Sequence, residues 1–132
     1  MAFGTATVVT SVGKATCANR LQTTPTRNPP KYIALGVGAT GAARTAVVGD
    51  TALSSELAEG RTSGTESIVT TSVTNDTYQS VGTVTATGSR AVDEAGLFDA
   101  SSSGNMVLSA TFAVVNLANG DSLQLTGKIQ FS

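Results

Sequence analysis

The sequence predicts an all-β chain folded as an antiparallel β-sandwich, immunoglobulin-like or jelly-roll-like, of six to seven strands with one short N-terminal helix. Three observations carry this. Apolar side chains alternate with polar ones along two C-terminal runs, the period of a half-buried strand. Two further runs are dense in Thr and Val, whose branched Cβ suits a pleated sheet. The runs are punctuated by Asn75-Asp76 and Asn119-Gly120, dipeptides that favour tight turns. Composition agrees, with 21 Thr, 14 Ser and 14 Gly among 132 residues. A chain of this length forms a single domain, residues 1–132, with a less regular N-terminal half (1–60) and a regular, hairpin-rich C-terminal half (66–132).

The elements follow in chain order. Thr5 to Val9 reads as a strand, and Val12 to Leu21 as a short helix burying Val12, Ala15, Cys17 or Ala18, and Leu21. Pro25, Pro29 and Pro30 lack backbone donors and make residues 23–30 an exposed loop. Lys31 to Leu35 resumes as a strand. Residues 39–60 lack clean periodicity, although Thr51 to Glu59 suits a helix or long loop carrying Leu53 and Leu57 inward. Ser67 to Thr74 and Thr77 to Thr87 form a strand pair about Asn75-Asp76. Ala91 to Phe98 is the next strand, ending in the flexible turn Asp99 to Gly104. Met106, Leu108, Ala110, Phe112 and Val114 share one face of a strand over Met106 to Leu117. In the strand from Asp121 to Phe131, Leu123, Leu125, Ile129 and Phe131 alternate, with Gly127 between them and Gln124, Lys128 and Gln130 opposite. Asn119-Gly120 predicts a type I′ hairpin joining the last two strands.

The same composition restricts chemistry. There is no His, no Trp and one Cys, which removes Ser-His-Asp and Cys-His nucleophiles, histidine acid/base catalysis and the usual His/Cys zinc sites. The expectation is a non-enzymatic protein with no catalytic, cofactor-binding or metal-binding residues and no cofactor. Eight Lys and Arg against nine Asp and Glu give a net charge of −1. The nearest cations, Lys14 with Arg20 and Arg27 with Lys31, are too sparse for a phosphate track, so no nucleic acid is expected. A mean hydropathy of +0.13 with 13% charged residues argues against global disorder. It describes a weakly charged surface, whose desolvation against another protein is inexpensive.

Residues 1–5, Met-Ala-Phe-Gly-Thr, have neither a basic region nor an apolar run, so the sequence predicts no signal peptide, no membrane span and synthesis in a cytoplasm. Cys17 has no disulfide partner and reads as core filler. Asn75-Asp76-Thr77 matches a glycosylation sequon and reads as a turn. Gly36-Val37-Gly38-Ala39-Thr40-Gly41 matches GxGxxG after an apolar strand, with Glu56 and Glu59 near the spacing of a ribose-binding acid. Gly49-Asp50 breaks the helix that such a motif needs, so the run reads as a Gly-rich turn at a sheet rim. Asp93 and Glu94 are strand neighbours and point to opposite faces, which precludes a concerted acid/base pair. With Asp99 they also lack the ligand spacing of a calcium loop. Glu94 instead reads as structural, accepting backbone N–H groups or pairing with Arg61 or Arg90.

The run 94–100 (EAGLFDA), followed by a Ser/Gly turn and an apolar strand, combines with 32–38 (YIALGVG), 49–53 (GDTAL) and the opening 8–15 (VVTSVGKA). Together these resemble small structural proteins of tailed bacteriophages, and the pattern is similar to the N-terminal region of phage tail-collar fibre proteins. The resemblance covers most of the chain and implies a virion component made in the bacterial host cytoplasm. The last core strand ends at Phe131-Ser132, with no extension of the kind a fibre carries. This favours a head decoration, or cement, protein binding the major capsid protein and copies of itself. The alternatives are a tail, collar, baseplate or fibre-attachment component contacting tail proteins, and a ligand- or carbohydrate-binding sandwich. The N-terminal segment, the Pro25 to Pro30 loop and the Ala39 to Leu53 stretch are expected to make the contacts, being least committed to the core.

Overall fold

The computed structural model of the chain describes residues 3, 7–38 and 44–132. It is an all-β sandwich of two antiparallel sheets with one short helix. In chain order the elements are β1 (Thr7–Val9), α1 (Ser11–Arg20), β2 (Tyr32–Gly36), β3 (Thr62–Ser63), β4 (Thr65–Val69), β5 (Thr77–Thr85), β6 (Arg90–Phe98), β7 (Met106–Leu117) and β8 (Ser122–Gln130). The large sheet has the order β1-β7-β6-β2-β3, the small sheet β4-β5-β8. Eight strands form among the described residues, where the sequence suggests six or seven, because the two-residue β3 is too short to leave a periodic signal.

The core lies between the sheets. Ile33 and Leu35 of β2, Ala95 and Leu97 of β6, and Leu108 and Ala110 of β7 meet Val84 of β5 and Leu125 and Ile129 of β8. The register explains the layering: Ile33 stands opposite Leu97 and Leu35 opposite Ala95 on the inner face. Tyr32 opposite Phe98, Ala34 opposite Gly96 and Gly36 opposite Glu94 lie on the outer one. The outer face carries a second cluster of Ala34, Phe98 and Met106, closed by Leu53 from the long loop after β2. The stretch 51–59 is therefore a loop, held at the rim by Val37 N–H donating to the Ser55 carbonyl and Leu57 N–H to that of Leu35.

The turn at Asn119-Gly120 joins two strands that do not pair with each other. β7 pairs with β1 and β6, whereas β8 pairs with β5, so the connection arches from one sheet to the other. It is not a type I′ turn. Gly120 has φ +89°, Asn119 is not left-handed, and Asp121 N–H donates to the Ala118 carbonyl. The β4–β5 pairing about Asn75-Asp76 is a true hairpin, with Asn75 at φ +61°. β6 and β7 form the other long hairpin. Between Val92 and Glu94 its register shifts, and the side-chain phase of both strands reverses. As a result Val92, Val115 and Leu117 turn inward beyond the bulge, and Val114 is left exposed rather than sharing a face with Ala110.

Helix α1 docks differently from its apolar pattern. Its buried residues are Gly13 and Thr16; Ala15 and Ala18 are exposed, and Leu21 just past its end is 85% exposed. Backbone proximity decides this. A Cβ on Gly13 would lie 2.3 Å from the Val107 carbonyl oxygen, so only glycine lets the helix meet β7. Thr10 caps the helix, accepting from Gly13 N–H at 2.9 Å, and its hydroxyl donates to the Met106 carbonyl at 2.6 Å.

Of the three segments expected to be free of the core, the first and the last reach it where they are described, and the middle one is tied to α1. Phe3 is 2% exposed within the main cluster, and Thr10 is fully buried. Residues 23–30 form a loop, with Thr23, Thr24, Thr26 and Asn28 exposed, yet it is pinned to the helix: Asn19 Oδ1 accepts from Thr26 and Arg27 N–H, and Arg27 Nη1 donates to Thr16 Oγ1 and the Val12 carbonyl. In the Ala39 to Leu53 stretch, residues 39–43 lie outside the described residues, Arg44 and Asp50 are ion-paired, and Leu53 is buried. Arg27 with Asn19 and Arg44 with Asp50 hold the latter two segments through hydrogen bonds and an ion pair, which hydropathy patterns do not register.

Candidate functional site

Two places gather polar or exposed apolar side chains. The first is the outer face of the large sheet. Glu94 is fully buried there, its carboxylate accepting from Ser55 N–H at 3.1 Å and from Arg44 Nη1 at 3.2 Å. Arg44 Nη2 lies 2.9 Å from Asp50 Oδ2, and the same oxygen accepts from Ser109 Oγ at 2.8 Å and Val47 N–H at 3.0 Å. Glu94 thus has the structural role that the sequence suggests, with a different arginine. Arg61 pairs with Glu56, and Arg90 with Glu59. The carboxylate needs space, and Gly36 supplies it: a Cβ there would be 2.6 Å from Glu94 Oε1. The first glycine of the GxGxxG run is accordingly occupied by packing, while Ala39, Thr40 and Gly41 lie outside the described residues. This network straps the 44–55 loop to the sheet. Its carboxylate oxygens are engaged by guanidinium, amide and hydroxyl donors, which suits them to structural work rather than proton transfer.

The other candidate residues are likewise engaged in holding turns. Asp99 Oδ1 accepts from Asn105 N–H at 2.7 Å, closing the β6–β7 hairpin, so the turn after Phe98 is pinned by its first residue. Arg61 covers the Phe98 ring at 3.5 Å and donates to the carbonyls of Ala100 and Ser103. Asp76 accepts from the N–H groups of Thr71, Ser72 and Val73, and these bonds, that of Val73 foremost, hold its carboxyl well below the usual range. Glu59 is held down to about 2, chiefly by the Thr87 N–H, with the Thr87 hydroxyl and Arg90 adding to it. Arg90 Nε lies 2.9 Å from Glu59 Oε1 without the alignment of a hydrogen bond, so charge alone holds that pair. Among the described residues no three His, Cys, Asp or Glu side chains converge as metal ligands.

The second place is a groove of about 340 Å³ between α1, the Pro29-Pro30 segment and the end of the small sheet. Its floor is the cross-strand row Ile68, Tyr78 and Ile129 on the sheet's inner face, extended by Phe131. The helix contributes Thr16, Cys17 and Arg20, with Leu21 beyond its end. Here the two layers do not close, so Leu21 (85%), Ile68 (59%) and Phe131 (56%) remain exposed around one opening. The polar atoms at the groove already have partners. The Tyr78 hydroxyl lies 2.7 Å from the Pro30 carbonyl and 3.0 Å from Glu66 Oε1, and donates to this pair of acceptors. Burial foremost, and Glu66 beside it, push the phenol far up. Cys17 is half-buried, and burial raises its thiol above the ordinary value, leaving it a neutral wall of the groove. The arrangement accepts an apolar side chain and offers no nucleophile with a base.

Compared with known proteins, the chain matches no family model, no curated protein and no solved structure. No helix among the described residues is long and apolar enough to cross a membrane. The groove is absent from the sequence reading because it joins residues 16–30, 66–78 and 129–131, which only the tertiary fold brings together. One signal was present: Leu21 and Phe131 each lie at the end of an element, where side chains escape burial.

Proposed function

We propose that this chain is a non-enzymatic structural protein of a bacteriophage particle, a head decoration protein that packs against the capsid lattice. One observation carries the reading: large apolar side chains stay exposed on a hydroxyl-rich, weakly charged domain, Leu21, Ile68 and Phe131 around one groove and Val47, Val48, Val73 and Val114 elsewhere. Such a surface suits burial in an assembly, against further copies of the chain as well as against the lattice. The phage-like runs agree with a scaffold role. In 94–100, Glu94 anchors the outer loop, Ala95 and Leu97 fill the core, Phe98 lies under Arg61, and Asp99 closes a turn. Residues of this kind preserve a shape rather than a reaction.

Modest contacts suffice for such a protein, because many symmetry-related copies act together on a lattice. A tail, collar or baseplate position is the second reading, favoured by the similarity of the same runs to tail-collar fibre proteins. Densitometry of purified particles separates the two. A decoration protein is present at on the order of hundreds of copies, a tail component at a few copies set by tail symmetry. Particles that lack the chain altogether overturn both.

A further inference from the structure

We propose that the groove between α1 and the small sheet is a self-association surface, through which two copies of this chain pair about a two-fold axis. The patch contains both a knob and a hole. Leu21 projects from the helix rim, and beside it the opening over Ile68, Tyr78 and Ile129 is lined by apolar atoms. A head-to-tail ring needs knob and hole on different surfaces, whereas a two-fold contact uses one patch twice. Each Leu21 then fills the partner's groove while its own groove is filled in return. Ile68 and Phe131, at the same opening, are covered by the same event.

Charge favours the same arrangement. Arg20 stands on the helix rim and Glu66 on the β4 rim of the groove. Both are exposed, and among the described residues neither forms an ion pair. A two-fold axis running along the groove lays each helix rim over the opposite strand rim, bringing Arg20 to the partner's Glu66 twice per dimer. The hydrogen-bonded Tyr78 hydroxyl remains satisfied when an apolar side chain enters, so closure strands no buried polar atom. Among the described residues, the remaining exposed large apolar side chains, Val47, Val48, Val73 and Val114, lie on the 44–50 loop, the β4–β5 tip and the β7 bulge, and none of them lines the groove.

The test is the oligomeric state of the full chain in solution, read by analytical ultracentrifugation from about 1 to about 100 μM. The expected result is a concentration-dependent dimer. Leu21→Asp, at a position that makes little contact within its own chain, should be monomeric with an unchanged circular dichroism spectrum. Arg20→Glu and Glu66→Arg should each weaken dimerisation by about tenfold or more, and the double reversal should restore it to within a few-fold of the original Kd. A wild-type monomer throughout, a three-fold or larger ring, a dimer indifferent to Leu21→Asp, or a double reversal that stays weak each overturns the proposal. The contact does not depend on the particle role. A dimer missing from particles leaves this inference standing and removes the decoration reading, whereas a monomer whose Leu21→Asp variant loses particle binding does the reverse.

Discussion

Glu94 and Glu59 show how this chain uses its few charges. Each anchors a loop with a carboxylate that accepts a backbone N–H and faces an arginine. For Glu59 the consequence is measurable. Its folded value of about 2 lies below the ordinary carboxylate value, so the unfolded chain binds the proton more tightly. Its stabilising contribution is therefore full above about pH 4.5 and is lost as the pH falls towards 2. Urea unfolding across that window should show a steeper loss of stability for the wild type than for Glu59→Gln, with Asp76 retaining its own share in both. Identical slopes would show that the Thr87 N–H does not hold this carboxylate. That Glu94 would be structural was legible from its place beside Asp93 on a strand, whereas Glu59 drew notice only for its distance from the GxGxxG run. Which arginine each would meet was not, because Arg44 lies 50 residues from Glu94 in the chain.

At the scale of elements, the periodic strands were readable and their partners were not. The alternation of Leu125 with Ile129 placed β8 correctly, and the β-branched runs located β5 but only the end of β4, which lies over Thr65–Val69 rather than Ser67 to Thr74. Asn119-Gly120 marked a turn, yet the strands it joins diverge into separate sheets, because a turn's chemistry is local and strand pairing is settled by the whole core. Helix α1 is the sharper case. Its apolar residues suggested one buried face, but it meets β7 through Gly13 and Thr16, since a sheet backbone can be approached closely only where the side chain is minimal. Gly13→Ala should destabilise the fold by about 1–3 kcal/mol, the usual cost of overpacking, despite alanine's better helix propensity. A neutral or positive change in thermal midpoint would mean that the helix does not sit against the Val107 carbonyl.

Across the whole molecule, the N-terminal segment serves both layers. β1 pairs with β7 in the large sheet, while Phe3 N–H donates to the Thr126 carbonyl of β8 in the small one, and the Phe3 ring lies in the core between them. Phe3 and β1 thus engage one sheet each. Phe3→Ala should accordingly cost about 3–5 kcal/mol, read as a lower urea midpoint. A change under about 1 kcal/mol would show that the ring is not part of the core.

From the sequence by itself follow the all-β class, most strand positions, the structural character of Glu94 and the scarcity of reactive groups, since each depends on residue type and short-range periodicity. The tertiary structure alone decided which strands pair, which arginine meets which acid, and that the core opens between α1 and the small sheet. Those outcomes depend on contacts between residues far apart in the chain, where backbone proximity and space, rather than local preference, select the partner.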